Sequence, residues 1–139
     1  MVVRETIEVH TRGRSFEALT DRVTQIVNAS GIAEGLCNIF VQHTSASLLI
    51  SENADPAVRR DLERFMQRIA PDGSPHYEHD AEGPDDMPAH IRSVLTSTSI
   101  SIPIAQGRLQ LGTWQGIYLW EHRHARHTRE VLVTIVGDC

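Results

Sequence analysis

Nowhere does this sequence hold the roughly 20 consecutive apolar residues that a helix needs to span a bilayer, which argues against a helical membrane protein. Cysteine is scarce. Cys37 and Cys139 stand alone without CxxC spacing, so neither a disulfide framework nor a zinc knuckle is expected, and both are read as reduced, inert thiols. A basic surplus is also missing: 13 Lys and Arg against 18 Asp and Glu leave a formal net charge of −5. Phosphate contacts along a nucleic acid need Lys and Arg gathered on one face, so nucleic acid is not the expected partner. No GxxxxGK(S/T) or GxGxxG stretch occurs, which removes the familiar glycine loops for nucleotides. Ser45 and Ser47 lack GxSxG context, so a serine hydrolase is unsupported. The first residues, MVVRETIEVH, carry neither the basic segment nor the long apolar stretch of a signal peptide; a cytoplasmic protein is expected.

What is present has the balance of an ordinary globular chain. With 139 residues, 40% hydrophobic and 22% charged, it has room for one core but not two, so residues 1–139 are read as a single domain. Residues 3–10 alternate at Val3, Ile7 and Val9, the pattern of a strand with one wet face. From Ser15 the apolar spacing through Phe16, Leu19, Val23, Ile26 and Val27 becomes helical and stops before Gly31. Two short branched runs, 36–43 and 46–51, predict strands. Asp55 and Pro56 supply an N-cap and a first helical residue, and Val58, Leu62, Phe65, Met66 and Ile69 form the stripe that this second helix is expected to bury. Residues 71–86 read as a long ordered loop or lid, followed by a short helix over 88–95. Four apolar bursts, 99–104, 107–114, 116–122 and 130–137, predict a meander of strands around a loop at 123–129. Elements that do not alternate strand with helix indicate an α+β fold, a mixed sheet with two or three helices.

Histidine is the residue in excess, with eight copies. His43, His79 and His90 each end or flank an element: a strand end, the polar loop and the short helix. Neutral imidazoles are common ligands of divalent metals, and three of them can build an open site of the catalytic kind, although ordinary surface or capping histidines would leave the same pattern. Close to His43 stand Glu52, Asn53 and Asp55. Asp55 has a sufficient task as a helix cap. Glu52 and Asn53 have none, and could orient a metal-bound histidine or a water, or act as general base. The HYEHD segment, with His76, Glu78, His79 and Asp80, could close over such a site. In LGTWQGIYLWEHR, Gly112 and Gly116 bracket Thr113, Trp114 and Gln115, which fits a pocket wall for a flat ligand; the plainer reading is a tight strand connection, with Trp120 the better core candidate. Glu121 interrupts an apolar strand and requires a partner. HRHARHTR gathers Arg123, Arg126 and Arg129, which could grip phosphate bidentately or form a solvated hairpin loop.

Taken together, HTSASLLISENADPAVRRDLERF, YEHD, DDMPAHI, SISIPIAQGRLQLGTWQGIYLWEHR and VLVTIVGD closely resemble the YjbQ-like family, often labelled secondary thiamine-phosphate synthase, over nearly the whole chain. The resemblance implies a small α+β subunit that assembles as a homotrimer, with a site near the subunit boundaries built around histidines. The family's HTS, YxH and AHI histidines fall on His43, His79 and His90, its ENxD cluster on Glu52, Asn53 and Asp55, and its GTWQG on Gly112 to Gly116. The family's frequent GPR-like turn is absent here, where HRHARH stands. The implied reaction joins a hydroxymethylpyrimidine diphosphate to a thiazole phosphate and releases pyrophosphate, which needs charge stabilisation and a pocket for two flat rings. The expected set is therefore a divalent metal on His43, His79 and His90, with zinc first and magnesium or manganese as alternatives. Glu52, Asn53 and Glu121 are expected as catalytic groups, and Ser45, Thr113, Trp114, Gln115 and Arg123 on the phosphate or diphosphate substrate. Metal-assisted hydrolysis with Glu52 as base, and a trimeric binding module without catalysis, are the alternatives.

Overall fold

The computed structural model describes residues 1–139 as two antiparallel sheets and three helices, an α+β arrangement. The first sheet runs β1 (Val2–Thr11), β8 (His127–Asp138), β3 (Glu34–Val41), β5 (Ser99–Ala105) and β6 (Arg108–Leu109) in that order. The second runs β2 (Ser15–Ala18), β7 (Gln115–Glu121) and β4 (Ala46–Glu52). Period-two alternation puts Ile7 and Val9, Cys37 and Ile39, Ile102 and Ile104, and Val131, Val133 and Ile135 on one face of the first sheet. Against that face pack Ala46, Leu48, Ile117 and Leu119 of the second sheet and Val23 and Val27 of α1 (Thr20–Ser30). Each fully buried aliphatic side chain contributes about 1.5–3 kcal/mol, which makes this layer the main source of stability. Burial also pushes the Cys37 thiol up to about 11, so it stays protonated and inert at neutral pH.

The helix expected from Ser15 divides in two. Residues 15–18 are strand β2, which pairs with β7 from Ser15 opposite Glu121 to Ala18 opposite Tyr118, and the helix begins at Thr20. The spacing of Phe16 and Leu19 suits a helix, but packing decides otherwise: the Phe16 ring stacks on Trp120 at 4.5 Å and 27°. A second difference concerns α2 (Pro56–Ile69). Asp55 caps it as expected, its Oδ1 accepting from the Ala57 N–H at 2.9 Å. Its apolar stripe is not buried, however; no α2 residue is, and Phe65 and Ile69 are 49% and 46% exposed. α2 docks through Glu63, which accepts from the fully buried Arg92 at 2.8 Å and from the Trp120 indole at 3.2 Å.

The expected meander is also replaced. β5 and β6 form a hairpin whose two turn residues, Gln106 and Gly107, both have positive φ, the arrangement that matches strand twist in a two-residue turn. Residues 110–114 then leave the sheet, so the strand expected over 107–114 survives only as Arg108–Leu109. β7 crosses to the second sheet, and β8 returns between β1 and β3. At that return Gly35 lies opposite Gly137, and a Cβ on either would run into a carbonyl oxygen of the facing strand. No helix is long and apolar enough to cross a membrane.

Candidate functional site

α3 (Asp86–Leu95) places Asp86 and His90 four residues apart on one helical face. The polar segment before it closes on itself as a compact loop, with the Gly73 N–H donating to Pro84 O at 2.9 Å and the Tyr77 hydroxyl to Pro71 O at 2.8 Å. That closure carries His79 to the start of α3. His79 Nε2 lies 2.6 Å and His90 Nε2 3.1 Å from the same oxygen, Oδ2 of Asp86, and the three ligand-type atoms are within 4.8 Å of one another. Asp86 is buried at 2% exposure, while both imidazoles reach solvent.

The tautomer of His90 is fixed from outside. Its Nδ1 stands 3.0 Å from the Thr44 carbonyl oxygen, which can only accept, so Nδ1 carries the proton. In the neutral ring Nε2 therefore presents a lone pair towards an anionic oxygen, beside a second imidazole nitrogen. Such convergence is held together either by extra protons on the rings or by a cation, and a ligating histidine anchored through its other nitrogen to a carbonyl is the usual support of a metal ligand. The donor set of two imidazoles and one carboxylate fits a divalent ion with open positions.

Arg123 serves this carboxylate pair. Its Nη1 donates to Asp86 Oδ1 at 2.7 Å and its Nε to Asp85 Oδ2 at 3.1 Å, while Asp85 also accepts from the His124 N–H at 2.8 Å. Burial alone would raise the Asp86 carboxyl, but the His79 hydrogen bond and the charges of Arg123 and His90 outweigh it and hold it below the usual aspartate range. Arg123, expected on substrate phosphate, is thus committed to two aspartates.

His43 stands apart from the trio. Its Nε2 accepts from the Glu130 N–H at 2.8 Å, and burial together with Arg129 holds its pKa below the ordinary value, so the ring is neutral. With His90, Thr44, Ser93 and Thr96 it lines a depression of about 420 Å³ beside the trio. Beneath it, Glu121 is fully buried and takes both nitrogens of an Arg129 fork, Nε at 2.8 Å and Nη2 on the other oxygen, with the Thr11 hydroxyl at 2.7 Å. Ser45 Oγ accepts from the same guanidinium at 2.9 Å. The partner that Glu121 required in sequence is therefore Arg129, and Glu121 and Ser45 form a buried ion-pair network instead of facing a ligand.

The remaining expected residues gather at the opposite end of β4 and β7. Glu52 pairs with Gln115, and its Oε2 accepts from the N–H groups of Ala54 and Asp55 at 3.0 and 2.8 Å. Asn53 binds the backbone of Trp114 and Thr113, and Gln115 Oε1 accepts from the Gly112 N–H at 2.7 Å. Trp114 is 62% exposed and Trp120 only 2%, as their positions suggested. Six strand steps separate Gln115 from Glu121, about 20 Å at roughly 3.3 Å per residue. One chain thus presents two clusters at two ends.

Two groups escaped the sequence reading. Asp86 was visible only as an acid one helical turn before His90 in DDMPAH. His122, the last residue of the expected strand 116–122 and the first of the HRHARHTR cluster, was given no role of its own; it is fully buried, its Nε2 2.8 Å from Ser47 Oγ, and burial with Arg92, Arg14 and Arg129 pushes its pKa down to about 3.

Comparison with known proteins agrees with the motifs. Residues 5–138 match the family described as UPF0047 protein YjbQ-like. A UPF0047 protein of Synechocystis is 51% identical over 97% of this chain and 92% of its own length, and the Escherichia coli UPF0047 protein YjbQ is 44% identical over 99% and 100%. A crystal structure of a YbjQ-like protein of unknown function from Sulfolobus solfataricus superposes with a TM-score of 0.87 at 26% identity, covering 99% of this chain and 100% of that one. A Clostridium acetobutylicum member gives 0.84 at 35% identity, covering 96% and 99%. This chain belongs to the YjbQ-like UPF0047 family.

Proposed function

We propose that this chain is a divalent-metal-dependent enzyme acting on a small phosphorylated or diphosphorylated substrate, with thiamine-phosphate synthase chemistry as its transferase form. The observation that carries the reading is the meeting of His79 Nε2, His90 Nε2 and Asp86 Oδ2, with the Thr44 carbonyl setting the His90 tautomer. Zinc, or magnesium or manganese, held by these three residues would neutralise charge developing on a phosphate oxygen. Arg123 keeps Asp86 ionised and oriented. His43 and the hydroxyls of Thr44, Ser93 and Thr96 bind the polar end of the substrate in the adjoining depression. Because Arg123 is committed to Asp85 and Asp86, no free guanidinium faces a departing diphosphate at this centre, and that favours hydrolysis of a simpler phosphate ester as the second reading.

Elemental analysis and turnover together test the proposal. Near one divalent ion per chain is expected, together with thiamine phosphate formed from the two precursors, or phosphate released from simple esters. Both signals disappear in a folded His79→Ala, His90→Ala variant. A chain with neither metal nor turnover, even after equilibration with divalent ions, sinks the enzyme reading and leaves a ligand-binding module.

The family's homotrimer belongs to the same proposal, as does a cytoplasmic location. Thr113, Trp114 and Gln115 lie too far from the trio to serve it within one chain, so a second copy has to bring them. Leu36, Phe40 and Val136 stand exposed on the outer face of the first sheet, Leu36 directly opposite Val136, an apolar surface suited to burial against another copy. Sedimentation velocity is expected to return the mass of three chains; a monomer at micromolar concentration would remove the shared site.

A further inference from the structure

A groove of about 470 Å³ runs between β2 and α2. Its α2 wall is the stripe of Arg59, Arg60, Glu63, Arg64 and Gln67, and Arg14 and Phe16 stand on the β2 side. α2 half-buries Val58, Leu62 and Met66, leaves Phe65 and Ile69 about half exposed, and carries Arg60, Arg64 and Gln67 at the open side of the groove.

The charges do not cancel. Glu63, the sole carboxylate of the lining, is taken by Arg92 and the Trp120 indole. Arg14 is taken by Asp72 at 2.7 and 3.1 Å. Arg59 is pinned without any carboxylate, donating to Glu52 O at 2.9 Å and to the Tyr118 hydroxyl at 3.0 Å with its guanidinium 4.8 Å over that ring. Arg60 pairs with no acid, and Arg64 meets only Asp61 at 3.5 Å, both largely exposed, an ion pair worth little. Two guanidinium groups without a carboxylate partner, Arg59 and Arg60, and a third, Arg64, with only an exposed one therefore share one groove in a protein of net charge −5. The sequence has no lysine, and its 13 Lys-or-Arg positions are all arginine, the residue that binds phosphate oxygens through a planar fork. Opposite them Phe16, braced by its stack on Trp120, offers a flat wall.

We infer that this groove is a second ligand site, which takes an organic phosphate or diphosphate with its anionic end between Arg59, Arg60 and Arg64 and a flat group on Phe16. It uses none of the residues of the metal trio, so it stands or falls separately from the proposed function.

Titration calorimetry on the full chain at low salt, with inorganic pyrophosphate and phenyl phosphate as probes, tests it. Both probes are expected to bind, and phenyl phosphate more tightly than inorganic phosphate titrated as the control without a ring. Affinity for both falls about tenfold or more in an Arg60→Gln, Arg64→Gln variant, whose changes lie on an exposed helix face, and falls with added salt. In the His79→Ala, His90→Ala background, where binding at the trio is removed, the arginine-dependent binding persists. Absence of binding at millimolar probe, binding unchanged by the two arginine substitutions, or binding lost only with the histidines would each overturn the assignment.

Discussion

Replacing Arg129 by methionine is expected to lower the stability of the fold by about 3–5 kcal/mol, a large fraction of what a domain of this size possesses. Glu121 has no exposure, and the variant strands its carboxylate with only the Thr11 hydroxyl and the Arg123 N–H as donors. The measurement is the urea midpoint, with the slope unchanged. A Glu121→Leu, Arg129→Met double variant should recover most of the loss, because two apolar side chains of similar size leave no charge to solvate. If single and double variants are equally unstable, the cost lies in packing and the ion-pair account is wrong.

The same pair sets a pH dependence whose sign reverses between the proteins. Burial alone would raise the Glu121 carboxyl, but hydrogen bonds from Arg129 and Thr11 and the Arg129 charge hold it below the usual glutamate range in the folded chain. A depressed folded value means that the native state binds the proton less readily than the unfolded chain does. The stabilisation is then complete above the ordinary glutamate pKa and is lost as pH falls through the folded value. In Arg129→Met the burial contribution dominates, the carboxyl moves up, and mild acid should stabilise that variant relative to its own value at neutral pH.

At the trio, Asp86→Asn is expected to weaken divalent-ion binding about 100-fold or more while the fold persists, since Arg123 keeps Asp85 as its partner. Competition against a chelator reads the affinity directly. His43→Ala should leave that affinity within a few-fold, because the lone pair of His43 Nε2 is already committed to the Glu130 N–H. The opposite pattern, with metal retained in Asp86→Asn and released in His43→Ala, would restore the three-histidine ligand set expected from the motifs and discard the trio.

Much of this is legible in the sequence, and the parts that are not share a cause. Period-two alternation at Ile7 and Val9 and around Ile39 announced strands, and Asp55 with Pro56 announced the start of α2, because these signals depend on neighbours a few residues away. His79 and His90 were likewise visible as site candidates. Their common partner was not: Asp86 meets His79 only because the loop from Pro71 folds back through the Gly73–Pro84 and Tyr77–Pro71 hydrogen bonds. Phe16 and α2 were misjudged for a related reason. A helical spacing of apolar residues states which side chains could share a face, but not whether another element covers that face.

The sequence by itself determined the family, the α+β class, the main strands, and that Glu121 needed a partner and Trp120 a core. Only the tertiary structure decided that Arg129 is that partner, that β7 crosses to the second sheet, and that the GTWQG segment lies at the opposite end of β7 from Glu121, about 20 Å along the strand. Propensity and periodicity act within a turn or a pleat. Which strand lies beside which is settled by long-range pairing, and that pairing sets Glu121 and Gln115 at opposite ends of β7, while the fold-back of the loop after Pro71 brings His79 to Asp86.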